Sequence, residues 1–149
     1  MNNLIPKKKL FFTDERIAII DIGSDTVRFQ IFENFKDNQV AIFNKKISCG
    51  LGKDLIKNNK LNKDSIKKTM NALYYIKELI DSSNIKNYKI FATEAVRVAK
   101  NRDAFIANAE NILKKKIHVL TGDEEAKFSA MGCIVGLKKS NGLVADLGG

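Results

Sequence analysis

The sequence predicts an α/β domain built on a mixed sheet, because a three-strand meander is followed by strands and helices in alternation. The first observation is the run Arg16 to Ile22, which is β-branched and apolar enough for a buried strand. The second is the rough apolar and polar alternation of Val27 to Phe35 and Gln39 to Ser48, a hairpin pattern continuing from that strand. The third is the apolar spacing farther on, where helical stretches separate short strands; such alternation favours parallel later strands with helices over the sheet.

Each element has its own signals. Gly23 and Ser24 punctuate the end of the first strand, and the polar cluster Lys36, Asp37 and Asn38 forms the hairpin turn. Gly50 and Gly52 make the next stretch a loop. Asn62 then caps a helix whose apolar positions Ile66, Met70, Leu73, Ile76 and Ile80 recur at steps of three and four residues, ending near Ser82. Tyr88 to Ala92 is a short strand. Glu94 to about Lys114 has helical composition with a break at Asn101, where a side-chain cap restarts the helix. Ile117 to Leu120 returns to strand. Thr121 followed by Glu124 fits a capping box, which opens a helix from about Gly122 through Val135, and Gly142 to Leu147 is a final strand.

Composition narrows the class. At 149 residues, 44% hydrophobic and 29% charged, the chain has room for one ordinary core and is expected to be a soluble folded protein rather than a disordered or membrane one. No apolar run approaches the roughly 18 residues of a spanning helix, and Leu10 to Phe12 after Lys7 to Lys9 is too short for a signal peptide, so a cytoplasmic location is expected. Cys49 and Cys133 lack metal or redox spacing and are assigned no chemistry. The net charge of +9 suits an anionic partner, yet it is nearly all lysine in an asparagine-rich chain, a joint bias that coding pressure also produces. His118, in an apolar strand, is expected to be structural. The lysine runs 7–9 and 114–116 are expected to be solvated, with a polyphosphate track as the alternative.

The chemistry sits in an internal echo. Ile19-Ile20-Asp21-Ile22-Gly23-Ser24 and Val144-Ala145-Asp146-Leu147-Gly148-Gly149 share one layout of apolar strand, aspartate, apolar residue, glycine and small residue. A strand ending in aspartate and a tight glycine turn aims a carboxylate at a metal and exposes backbone N–H groups to an anion. Two such loops could grip a phosphate chain from both sides, as phosphoryl transfer requires.

Asp21-Ile22-Gly23-Ser24-Asp25-Thr26-Val27-Arg28 resembles the first phosphate loop of the exopolyphosphatase/guanosine pentaphosphate phosphohydrolase (Ppx/GppA phosphatase) family. Ala92-Thr93-Glu94-Ala95-Val96-Arg97 resembles that family's Ala-Thr-x-Ala-x-Arg segment, Leu120 to Lys127 its Ser-Gly-x-Glu-Glu-Ala-Arg segment, and Asp146 to Gly149 the start of its second phosphate loop. The likeness runs from about Arg16 to the last residue, with the motifs in the family's order. It implies a ribonuclease H-like, actin-type fold: a basic extension over 1–15, a first domain over 16–121, and a linking helix with the first strand of a second, incomplete domain over 122–149. It also implies a hydrolase that removes terminal phosphate from inorganic polyphosphate or pppGpp.

Glu125 would be the base that activates water. Gly23, Ser24, Asp25, Thr26, Arg28, Thr93, Arg97, Gly148 and Gly149 would bind phosphate, and Asp21 and Asp146 would orient Mg²⁺. The residues are compatible with these roles. If Glu124 closes a capping box with Thr121, Glu125 points about a quarter turn away and is free to face a cleft. A guanidinium at Arg97 suits two phosphate oxygens in one plane. The resemblance further implies a homodimer for full-length members, with no membrane and no nucleic-acid partner.

There are departures. Asp25 stands where the family has asparagine, Lys127 where it has arginine, and the second loop stops at Gly149, so the fragment is expected to be inactive. Two alternatives remain: a sugar or acetate kinase or actin-like ATPase of the same superfamily, which would lack the Thr93–Arg97 and Glu124-Glu125 motifs, and a non-catalytic polyanion-binding module carried by lysine patches.

Overall fold

A computed structural model describes residues 16–35, 38–135 and 142–145. One five-stranded sheet organises the molecule: β1 (Ile17–Ile22), β2 (Thr26–Phe35), β3 (Asn38–Ser48), β4 (Asn87–Ala92) and β5 (His118–Val119), in spatial order β3-β2-β1-β4-β5. The β1–β2 and β2–β3 pairs are antiparallel, and β4 runs parallel to both β1 and β5. The predicted mixed-sheet α/β class is therefore the observed one. β1 lies at the centre of the sheet, and its β-branched isoleucines suit that position.

Alternation along β1 divides the sheet into two faces. Ala18, Ile20 and Ile22 are fully buried, whereas Ile19 and Asp21 point the other way and are half-buried. On the buried face, Val27 and Phe29 of β2 and Ile90 and Ala92 of β4 join the core with two of the helices, α2 (Lys63–Ser82) and α4 (Arg102–Leu113). The Asn62 side chain caps α2, its Oδ1 accepting from the Asp64 N–H at 2.8 Å and the Ser65 N–H at 3.4 Å. The buried stripe of α2 differs from the purely apolar one expected. Ser65, Thr69 and Ala72 lie inside with Leu73, Ile76 and Ile80, while Ile66 and Met70 are partly covered at its margin. Thr69 is accommodated because its hydroxyl donates to the Ser65 carbonyl at 2.8 Å.

Other details depart from expectation. A single-turn helix, α1 (Leu55–Asn58), interrupts the predicted loop. The helical stretch does break before Asn101, into α3 (Glu94–Val98) and α4, but the Asn101 side chain caps nothing. It reaches instead to Leu61, accepting from its N–H at 2.9 Å and donating to its carbonyl at 3.1 Å. β5 is two residues long rather than four. α5 (Gly122–Val135) has the predicted bounds. Gly142 to Ala145 are not in a strand, and the rest of that prediction, Asp146 and Leu147, lies outside the described residues, as do Lys36, Asp37 and the segment 1–15.

Candidate active site

The unburied face of the sheet carries the acidic and basic side chains. Strand register sets Asp21 opposite Arg28 and Ile19 opposite Gln30 across β1 and β2, and Asp21 beside Phe91 across β1 and β4. Period-two geometry therefore puts Ile19, Asp21, Arg28, Gln30 and Phe91 on one surface. α5 roofs part of it. Together with Thr93, Leu120, Glu125 and Phe128 these residues line a cavity of about 590 Å³.

Glu125 enters the cavity because its neighbour is engaged elsewhere. The capping box forms in full: the Glu124 N–H donates to the Thr121 hydroxyl at 3.2 Å and the Thr121 N–H to the Glu124 carboxylate at 2.9 Å. Glu124 also sits 3.2 Å from His118 Nε2, which gives His118 a positioning role at the start of α5. The hydrogen bond from the Thr121 N–H, and then that from His118, hold the Glu124 carboxyl below the ordinary carboxylate range. Glu125 instead meets Arg97, whose Nη1 lies 3.0 Å from Oε2 and also donates to the Leu120 carbonyl at 2.6 Å. Arg97 thus bridges α3 to the first turn of α5.

Asp21 is the electrostatically stressed group. Burial raises its pKa, the Arg28 charge opposes that rise, and the Glu125 carboxylate adds to it. Asp21 and Glu125 thus share the cavity with Arg28, and the Arg97 guanidinium pairs with Glu125.

The β1–β2 turn has a different environment. The Gly23 N–H donates to the Thr26 carbonyl at 2.9 Å, so that amide closes the turn. The Ser24 carbonyl accepts from the Gly52 N–H at 2.7 Å, and the Asp25 carbonyl accepts from the N–H groups of Cys49 and Gly50, both at 2.8 Å. The loop after β3 thereby grips the turn from outside. Ser24 and Asp25 line a second cavity of about 750 Å³ with Gly50, Gly52, Lys53 and Glu94. The predicted site is accordingly divided: Asp21, Arg28, Thr93 and Glu125 share one cavity, with Arg97 bonded to Glu125, while Ser24 and Asp25 face the other. Gly23 and Thr26 form the hinge of the turn between them. Asp146, Gly148 and Gly149 lie outside the described residues.

The sequence reading missed the grip of Gly50 to Gly52 on the turn and the aromatic wall of Phe91 and Phe128, whose ring centroids are 6.1 Å apart. The glycine pair was visible, but only as punctuation. The lysines at 114–116 are exposed, as expected, and each also has a partner: Lys116 pairs with Glu110 at 2.6 Å, Lys115 lies 4.4 Å from the Tyr88 ring centroid, and Lys114 bonds Asn111. Cys49 is buried and Cys133 exposed, both as free thiols. Among the described residues, no helix is long and apolar enough to cross a membrane.

Residues 31–149 match the model of the Ppx/GppA phosphatase family. A bifunctional 3-dehydroquinate synthase/phosphatase of Fusobacterium nucleatum is 37% identical over 142 residues, covering 89% of this chain and 21% of that protein. A guanosine-5'-triphosphate,3'-diphosphate pyrophosphatase of Aliivibrio fischeri is 29% identical over 134 residues, covering 89% of this chain and 27% of that one. The crystal structure of the Aquifex aeolicus member of the Ppx/GppA family superposes with a TM-score of 0.76 at 30% identity, over 83% of this chain and 40% of its own. The chain thus spans between a fifth and two fifths of the length of these relatives. With a match over residues 31–149, and with the strand order and cavity described above, the chain belongs to the Ppx/GppA phosphatase family.

Proposed function

We propose that this chain supplies one wall of the active site of a phosphoanhydride hydrolase acting on the terminal phosphate of inorganic polyphosphate, of pppGpp or of both. The observation that carries the reading is the convergence of Asp21, Arg28, Thr93 and Glu125 on one cavity, with Arg97 bonded to Glu125. A cluster of this kind is what in-line displacement at phosphorus needs, since that chemistry depends on positioning and charge neutralisation.

In this reading Glu125 accepts a proton from the attacking water. Arg97 changes partner when substrate arrives, taking two phosphate oxygens in place of the Glu125 carboxylate and leaving that carboxylate free as the base. Arg28 balances Asp21 and offers a second cation to the phosphate. Thr93 contributes its hydroxyl, and the N–H groups of Ser24 to Thr26 cradle the chain where Gly23 has closed the turn.

Among the described residues, no three His, Cys, Asp or Glu side chains are grouped to hold a metal. Mg²⁺ does not require such a cage, because it keeps several waters and takes one or two carboxylates plus substrate phosphates. Asp21, on the sheet beneath Glu125 of α5, fits that mode; Asp146 would join from the second loop. When bound, the ion neutralises charge on the phosphate oxygens.

The test is phosphate release from linear polyphosphate and from pppGpp with Mg²⁺, by wild type and by Glu125→Gln, in a version continued past Gly149 over the length of its relatives. Turnover abolished with binding retained supports the reading. Phosphate release unaffected by the substitution removes Glu125 as the base, and tight binding with no turnover in any version makes the protein a polyanion-binding module.

A further inference from the structure

The chain has one histidine, and the fold sets it between the sheet and the start of α5. His118 pairs with Phe91 across β5 and β4, and the two rings stand perpendicular with centroids 6.0 Å apart. Phe91 lines the Asp21–Glu125 cavity, so the imidazole is oriented by the wall of the site. Its Nε2 lies 3.2 Å from Glu124 Oε1. Among the described residues, Glu124 is the polar partner of the ring.

Both oxygens of Glu124 are thereby engaged. Oε2 accepts from the Thr121 N–H at 2.9 Å and from the Thr121 hydroxyl at 3.2 Å, while Oε1 faces His118. The Glu125 N–H donates to the Thr121 carbonyl at 3.0 Å, so the residue that Glu124 clasps also fixes the backbone of Glu125. The two glutamates project about 100° apart around α5, and one guanidinium, that of Arg97, bonds there to Glu125. A glutamate held through a single oxygen regains side-chain freedom, and a loose carboxylate one residue away competes for the same guanidinium.

We propose that His118 is a positioning residue for the Arg97–Glu125 pair: it sequesters Glu124 in the capping box, so that Glu125 is the glutamate presented to Arg97 and the cavity. The inference rests on the proposed hydrolase reading and adds a means of regulating its site. Histidine is the side chain that ordinarily changes charge between pH 5 and 8. An imidazolium carries a proton on Nε2, whereas the neutral ring does so in one of its two tautomers. The hold on Glu124 is therefore complete on the acid side of that range and weaker on the alkaline side. Glu124 stays ionised across it, since the Thr121 N–H, and then His118, keep its carboxyl low. The other charged groups on the elements around β5 are Lys89 of β4, Asp123, Glu125 and Lys127 of α5, Arg97 of α3, and Glu110 with Lys116, which pair with each other at 2.6 Å.

The experiment follows this chain by NMR over a pH series, reading the imidazole, the Glu125 carboxyl carbon and the Arg97 Nε–H. A single histidine gives the imidazole signals one source. In wild type the Glu125 and Arg97 signals are expected to move with the imidazole titration. In His118→Gln, whose amide donates without titrating, that step is lost. In Glu124→Gln the imidazole still titrates and the Glu125 and Arg97 signals no longer follow it, because the relay runs through Glu124. The His118 side chain is 57% exposed, and circular dichroism checks that each variant is folded. In the version continued past Gly149, His118→Ala should lower kcat for phosphate release about twofold to fivefold at unchanged KM. His118→Gln should recover it. Glu125 and Arg97 signals indifferent to the imidazole in wild type, or still following it in Glu124→Gln, overturn the proposal. The NMR readout needs no turnover, so absence of phosphate release with the shared titration intact would refute the hydrolase reading and leave the positioning of Glu125 by His118 standing.

Discussion

The Arg97 guanidinium stands 3.0 Å from the Glu125 carboxylate and donates, through the same nitrogen, to the Leu120 carbonyl. One side chain thus fixes where α5 begins and holds the group proposed as the base. Both partners are about a quarter to a third exposed, so the pair contributes little to stability, less than about 1 kcal/mol. Arg97→Lys keeps the charge and loses the geometry. Its expected signature is a fall of about tenfold to a hundredfold in kcat/KM for phosphate release, with a denaturation midpoint close to wild type. Unchanged kinetics would leave Arg97 only a structural tie.

Asp21 gives a pH dependence whose sign follows from its burial. Its carboxyl pKa is raised above the ordinary 3.8, first by desolvation, so the native state holds that proton more tightly than the unfolded chain. This group's contribution to stability falls as pH rises from the ordinary value through the raised one, and stays reduced above it. Asp21→Asn removes the buried charge, so at neutral pH its melting temperature should exceed that of wild type. The advantage should shrink as pH is lowered through the same window. Glu124 acts in the opposite direction: its lowered pKa supports stability above the ordinary 4.5, and that support is lost as pH falls through the folded value. Melting curves of Asp21→Asn and Glu124→Gln across a pH series measure both signs.

The tie between Asn101 and Leu61 offers a stability test remote from the chemistry. Asn101→Ala strips both main-chain partners from Leu61, a residue 3% exposed, and is expected to cost about 1–3 kcal/mol. Urea denaturation should show a lower midpoint at an unchanged slope.

Two glycines of one loop should separate strain from positioning. Gly50 has φ of 59° and open space where a Cβ would go, so Gly50→Ala should cost about 1 kcal/mol of stability through backbone strain alone. A Cβ on Gly52 would come within 3.1 Å of the Ser24 Cβ, so Gly52→Ala should displace the β1–β2 turn. Weaker phosphate-probe binding is expected from the second substitution and not from the first, by titration calorimetry.

The sheet was legible where one face of an element is apolar and the other is not. β1, β2, β4, α2 and α5 follow from such patterns and from the caps at Asn62 and Thr121. The misses share a cause, which is tertiary partnership that period and propensity do not encode. Asn101 has the composition of a cap but is recruited by Leu61, forty residues earlier in the chain. Thr69 reads as polar, yet its hydroxyl donates to the Ser65 backbone carbonyl inside the core. In the candidate site, the place of Asp21 near the end of β1 before the turn was visible in the sequence, but the Arg97–Glu125 bond depends on how α3 meets α5, and the separation of Ser24 and Asp25 from Asp21 depends on the loop at Gly50 to Gly52.

The alternation of β1 has an implication for errors in assembly. A slip of one residue against β2 would turn Asp21 into the buried face and move Ile20 onto the face that carries the cavity, so a mispaired strand loses its greasy side in the same stroke as its carboxylate. Misfolded copies in which this strand is paired out of step therefore cannot persist as compact but inert molecules, because whatever misdirects the acid also dissolves the interior that would have held such an impostor together.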